Sequence, residues 1–185
     1  NQDIANPKKS TKPQNWIKRG ELMHQIYNLD IDQVFDGMDV FSLKLFYKEP
    51  KTTTTTEIEG IPTTIYEYER IKYFFQDERL RWWEKTKKIT EDPLGEAYNS
   101  FTKALELDEK GTFDDKLRQS LVTLKSFYRQ SGLNEYFAGN RKEGLAEILM
   151  VNKINELKFF KGELDTMMVQ YSGIIAREIG DYKTA

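Results

Sequence analysis

The chain closes on the stretch YSGIIAREIGDYKTA, Tyr171 to Ala185. Leu164, Met168, Tyr171 and Ile175 recur at helical spacing and predict a last full helix that ends at Gly180. Gly180-Asp181-Tyr182 then reads as a turn, and Ala185 as the opening of a second helix. Gly173, inside the first helix, is a small residue of the kind that lets a neighbouring helix come close. Helix, tight turn and restart together predict a helical hairpin.

The same rhythm extends back through much of the chain. Gly144, Ile148, Val151 and Ile154 mark one helix, closed by a break at Lys161-Gly162. Leu117, Leu121, Leu124, Phe127 and Tyr128 mark a long one that ends at the turn Gly139-Asn140. Asp92-Pro93 opens a helix carrying Ala97, Phe101, Ala104, Leu105 and Leu107, followed by a loop at 109–114. A first helix opens at Pro13, carries Trp16, Ile17, Gly20, Met23, Ile26 and Tyr27, and ends near Asn28–Asp30. Residues 1–13, with Pro7 and Pro13, read as a linker-like entry.

Residues 30–90 break the rhythm. Thr52–Thr56 favour extended backbone because β-branched side chains lose rotamer freedom in helices. With Glu57-Ile58-Glu59, the turn signal Gly60-Ile61-Pro62 and the run 63–69, they suggest a β-hairpin, though not the tight two-residue kind. Beyond it, Ile71, Phe74, Phe75, Trp82 and Ile89 fit either a helix face or two further strands bent at Gln76-Asp77-Glu78. The pattern does not separate the two.

Composition narrows the function classes. Lys/Arg and Asp/Glu number 28 and 30 and are well mixed, which argues against a nucleic-acid-binding face. No apolar run approaches the ~20 residues that span a bilayer. The chain has no cysteine, which excludes disulfides, thiolate nucleophiles and Cys-based zinc sites. Beginning at Asn1 and stopping at Ala185 in mid-pattern, it reads as a fragment or processed form, so the compartment is left open.

Several motifs resemble tetratricopeptide repeats. Trp16-x2-Arg19-Gly20-x2-Met23 is similar to that family's first helix with Leu and Tyr replaced, and Ala97-x3-Phe101-x2-Ala104 matches its second helix. Tyr128-x3-Gly132 and Gly144-x3-Ile148 form a degenerate middle pair. Gly173, Gly180, Tyr182 and Ala185 form a first helix, its turn and the start of a second. The step from Gly132 to Gly173 departs from the family's ~34-residue repeat. The run PKKSTKPQNWIKRG, followed later by AYNSFTKALELDEKG, resembles the extended-repeat proteins of the Bacteroidetes cell envelope. The resemblance implies an all-α fold in which TPR-like helical hairpins stack into a right-handed α-α superhelix. The hairpins come from 13–29 and 91–185, and 30–90 is an insertion in the first of them, within a single domain of 1–185. It also implies a periplasmic or cell-envelope location, although the residues themselves are equally compatible with the cytoplasm.

In such a stack the first helices line a concave face. Their inward residues would be Gln14, Ile17, Glu21 and His24; Ser126, Arg129, Leu133 and Tyr136; and Met167, Gln170, Ile174 and Arg177. These predict a non-catalytic scaffold that binds a protein or peptide segment, with Tyr136 and Arg129 as anchors. No cofactor, metal or nucleic acid is expected. In the cluster Asn28, Asp30, Asp32, Asp36 and Asp39, the sixth residue is Gln33 where a calcium loop needs glycine, so it reads as a solvated helix end. His24, the only histidine, reads as a helix-surface residue. The alternative is a carbohydrate-binding or hydrolytic protein that uses Trp82-Trp83 as a stacking platform and the pair Glu67 and Glu69 as carboxylates. For the two tryptophans, a place in the insertion's core is the simpler reading.

Overall fold

The computed structural model describes residues 5–184. In chain order the elements are α1 (Pro7–Ser10), α2 (Pro13–Asn28), α3 (Val40–Phe46), strands β1 (Thr52–Ile58), β2 (Ile61–Glu67), β3 (Ile71–Gln76) and β4 (Arg79–Lys85), then α4 (Pro93–Leu107), α5 (Asp114–Phe137), α6 (Arg141–Asn155) and α7 (Thr166–Glu178). No helix among the described residues is long and apolar enough to cross a membrane.

The fold is mixed α/β, which overturns the all-α superhelix. Residues 52–85 form a four-stranded antiparallel sheet in the order β1-β2-β3-β4. Two of its three hairpins, β1–β2 and β3–β4, turn on two residues each. Glu59 and Gly60 both have positive φ, as do Asp77 and Glu78, which is the twist that two-residue hairpins require. The expectation of a looser first hairpin fails because Pro62 is not part of the turn. It lies within β2 opposite Glu57, beyond the end of the β2–β3 pairing, so its missing N–H costs no ladder bond.

Burial falls steeply across the sheet. Ile71, Tyr73 and Phe75 of β3 and Leu80 and Trp83 of β4 join the central core. Phe74 and Trp82, on the opposite face, stack with ring centroids 4.8 Å apart. β2 is half-buried over most of its length, and β1 is exposed from Thr52 to Glu57. The sheet therefore projects its β1 edge beyond the helical layer.

Helices α2 and α4 pack side by side across this excursion, and α5 packs against α6. Glycines set both close approaches. A Cβ on Gly20 would lie 2.4 Å from the Phe101 ring, which is wholly buried. A Cβ on Gly144 would lie 2.9 Å from the Gly132 carbonyl oxygen and 3.0 Å from the Tyr136 nitrogen. Gly173, by contrast, has nothing within 4 Å of its Cβ position, so the small residue in the closing stretch sits at no helix crossing. Gly180 does end α7, with φ +76, and the Asp181 N–H bonds the Ala176 carbonyl at 2.8 Å. The proposed helix opening at Ala185 lies outside the described residues.

These contacts predict an ordering. Gly20→Ala and Gly144→Ala each destabilise by about 1–3 kcal/mol, because a buried ring or a neighbouring backbone must move. Gly173→Ala stabilises by up to about 1 kcal/mol, since alanine is the better helix former and meets no obstacle there. Urea unfolding midpoints of the three variants check the order.

Candidate functional site

The residues expected to line one concave face do not share a surface. Ile17 is 1% exposed and lies in the core, so it cannot meet a partner. His24 is buried too, correcting its reading as a surface residue. Its ring packs edge-on against Phe101 at 5.0 Å and Phe127 at 5.3 Å. Burial holds the imidazole pKa down to about 4, against an upward pull from Glu21, and its Nε2 has no hydrogen-bond partner. Glu21 is ion-paired with Lys116 at 2.9 Å, joining α2 to α5.

Arg129 and Tyr136 are engaged inside the molecule. Arg129 pairs with Asp165, whose carboxylate also caps α7 by accepting from the Met168 N–H at 3.2 Å. The Tyr136 hydroxyl donates to Glu178 at 3.2 Å, near the other end of α7, where Arg141 also pairs at 3.0 Å. These side chains hold α7 on α5 and α6. Leu133 and Ile174 are half-buried. Gln14, Ser126, Met167, Gln170 and Arg177 are exposed, on three different helices.

The insertion's carboxylates and indoles are likewise committed. Glu69 lies in the β2–β3 turn and pairs with Lys51 and Lys87, while Glu67 faces Lys72 at 3.7 Å. Trp82 and Trp83 are 9% and 8% exposed, too little to form a stacking platform. The acidic cluster is dispersed as well. Asp30 pairs with Arg70 at 3.1 Å, Asp39 caps α3 through the Ser42 N–H at 2.8 Å, and Asp32 accepts from Asn28 at 3.1 Å.

The structure instead assembles a cleft of about 600 Å³ that the sequence does not announce. One wall is β4 with its exit segment 84–92, the other the C-terminal part of α5 with Glu147 of α6, and Tyr27 of α2 lies between them. Two of its charged groups, both without an ion pair among the described residues, have strongly shifted pKa values. Lys85 donates to the Tyr27 carbonyl and sits 4.8 Å from the Tyr27 ring centroid. Burial lowers its pKa to about 8, with Asp30 pulling the other way. Glu147 is pushed up to about 7, first by burial and then by Asp92 and Glu135, and its Oε2 accepts no hydrogen bond. Asp92 and Glu135 are occupied, the first by the Gly95 N–H at 2.8 Å and the second by the Asn140 amide at 2.7 Å.

At the back of the cleft Asn134 reads the backbone of β4. Its Oδ1 accepts from the Trp83 N–H at 2.8 Å and its Nδ2 donates to the Trp83 carbonyl at 3.1 Å. No group of three or more His, Asp or Glu residues among those described is placed to hold a metal ion.

No family model matches this chain. Neither a curated protein nor a solved structure is significantly similar to it. The tetratricopeptide resemblance is thus corrected on two grounds: the fold contains a four-stranded sheet, and no family model supports the motif matches. Small residues and an aromatic at helix crossings, the features that suggested it, are what any closely packed helix pair requires.

Two of the perturbed groups, His24 and Glu147, predict opposite pH dependences. His24 is depressed below its unfolded value, so its contribution to stability is present above pH 6.5 and is lost as pH falls towards 4. Glu147 is raised, so its contribution is full below about pH 4.5 and is lost as pH rises through about 7. Each is worth up to about 3 kcal/mol over its window. Urea titrations at pH 5 and 7 should show less acid sensitivity in His24→Leu than in the parent. Titrations at pH 6 and 8.5 should show that Glu147→Gln loses less stability with rising pH.

Proposed function

We propose that this protein is a non-catalytic binding module that holds a segment of a partner protein. The observation that carries this reading is an exposed apolar patch at α3. This helix is anchored by Leu43, which is wholly buried, and capped by Asp39. Its remaining large side chains face outward: Phe41 is 73% exposed, Leu45 67% and Phe46 54%, and Phe35 in the preceding loop is 57% exposed. Phe41 and Leu45 are four apart and share one helix face. A short helix that turns apolar residues to water against the usual pattern marks a contact surface. Its surroundings are polar, with Asp36, Lys44, Lys48 and Glu49 along the same stretch, the arrangement of an apolar centre within a polar rim. The partner suited to it presents a few apolar side chains from a helix or extended segment.

The scaffold reading from sequence is kept in class and moved in place, since Arg129 and Tyr136 are occupied by α7. Non-catalytic binding is also favoured by the nucleophile inventory: the chain has no cysteine, and its one histidine is buried between two phenylalanine rings.

A hydrolytic or small-ligand reading has one observation in its favour. Glu147, with a pKa of about 7 and a free oxygen in a cleft, has the properties of a general acid or base. The two readings separate experimentally. Cross-linking in native extract should trap a partner on the parent protein and lose it on the double variant Phe41→Ser, Leu45→Ser, with the fold checked by circular dichroism. Equal trapping by both would overturn the proposal. A glycan- or peptide-dependent thermal shift that disappears in Glu147→Gln would move the function to the cleft.

A further inference from the structure

The two edges of the sheet are treated differently. The outer edge of β4 is occupied at Leu80 and at Trp83. The Leu80 carbonyl accepts from the Gly37 N–H at 2.9 Å and the Leu80 N–H donates to the Met38 carbonyl at 2.8 Å, with a bridge between Asp39 and Arg79 beside them. Three residues on, the Asn134 amide satisfies both backbone groups of Trp83. The outer edge of β1 has no counterpart. Among the described residues no backbone hydrogen bond reaches Thr52–Ile58 from outside the sheet.

The groups left open can be assigned. The Tyr68 N–H bonds the Ile71 carbonyl at 2.8 Å, so the even-numbered residues of β2 face β3. By alternation the odd-numbered residues of β2 bond the even-numbered residues of β1, in the register Thr52↔Glu67, Thr54↔Ile65 and Thr56↔Thr63. Thr53, Thr55 and Glu57 therefore direct their N–H and C=O groups away from the sheet. Protection of this free edge is slight: β1 contains no proline and no bulge, it is a full seven residues long, and its one charge is Glu57.

We propose that β1 pairs antiparallel with β1 of a second copy of this chain, with the two-fold axis at Thr54, joining two four-stranded sheets into one. Charge and register select this occupant. Centring on Thr54 sets Thr53 opposite Thr55, Thr52 opposite Thr56 and Lys51 opposite Glu57, so two ion pairs flank a run of cross-strand threonine pairs. Glu57 has no ion-pair partner of its own among the described residues, and Lys51 exchanges Glu69, which keeps Lys87, for it. Centring on Thr53 would oppose Glu49 to Glu57, and centring on Thr55 would send Lys51 to Glu59, which has left the strand for the turn. A two-fold contact uses the same patch on both copies, as this run requires.

A single strand pair is a small interface, so a reversible dimer with a dissociation constant on the order of micromolar is expected. Sedimentation velocity from about 1 to about 200 µM should show the monomer giving way to a dimer. Thr55→Pro removes an outward N–H while sparing the backbone bonds to β2, at the cost of one exposed hydroxyl contact with Thr64, and should leave a folded monomer by circular dichroism. Glu57→Lys should weaken association by about tenfold, and Lys51→Glu added to Glu57→Lys should restore it. Failure of the paired exchange to restore the dimer overturns the register, and a dimer untouched by Thr55→Pro overturns the edge. A monomer throughout the series overturns the proposal and leaves β1 to a strand from another protein.

Discussion

The contact between Gly20 and Phe101 fixes the ends of everything that lies between them. The chain leaves α2 near residue 29 and re-enters α4 at Pro93, and the two helices touch where only a hydrogen can stand at Gly20. The intervening α3 and sheet must therefore begin and end at one point. The loop-closure cost grows only slowly with length, so one tight helix pair can carry a long excursion. The sheet is then tied back to the end of α2 rather than left hanging. Arg70 pairs with Asp30, the Tyr73 hydroxyl donates to the Asp30 carbonyl, and Lys85 donates to the Tyr27 carbonyl. All three bonds converge on one helix terminus, whose last carbonyls would otherwise need water.

Polar residues on α5 serve the same end on the other side of the molecule. Arg129 and Tyr136 look from sequence like the exposed anchors of a groove. In the fold they secure α7 near its two ends, with Asp165 doubling as that helix's cap. Charged and aromatic side chains spaced along a helix face are used here to dock the next helix. The exposed large apolar side chains Phe41, Leu45 and Phe46 fall instead on α3, whose sequence is too short and mixed to show a period.

How much was legible follows from the same geometry. The five longer helices announced themselves because each has one buried stripe, and their turns fell at Gly139 and Gly162, both with positive φ. The threonine run announced extended backbone because its chemistry is local. β3 and β4 did not, because Tyr73, Phe74 and Phe75 are all buried and a strand covered on both faces loses its alternation. The family resemblance misled because glycine-aromatic spacing reports close helix packing in general, and at Gly173 it reports not even that. His24 and Glu147 were illegible as special residues for one reason. The groups that perturb them, Phe101 and Phe127 around the histidine and Asp92 and Glu135 beside the glutamate, are brought close only by the folded backbone.

The side-chain amide of Asn134 carries a consequence beyond local bonding. It is chemically a peptide group, and it takes the place of the next strand at Trp83 while the main chain of Gly37 and Met38 does so at Leu80. A building block with two adhesive ends polymerises without limit, and one with a single adhesive end stops at pairs. By blocking one side of the sheet from within, Asn134 makes any strand addition at the other side self-limiting, and so keeps a threonine-rich open edge from becoming the seed of a fibre.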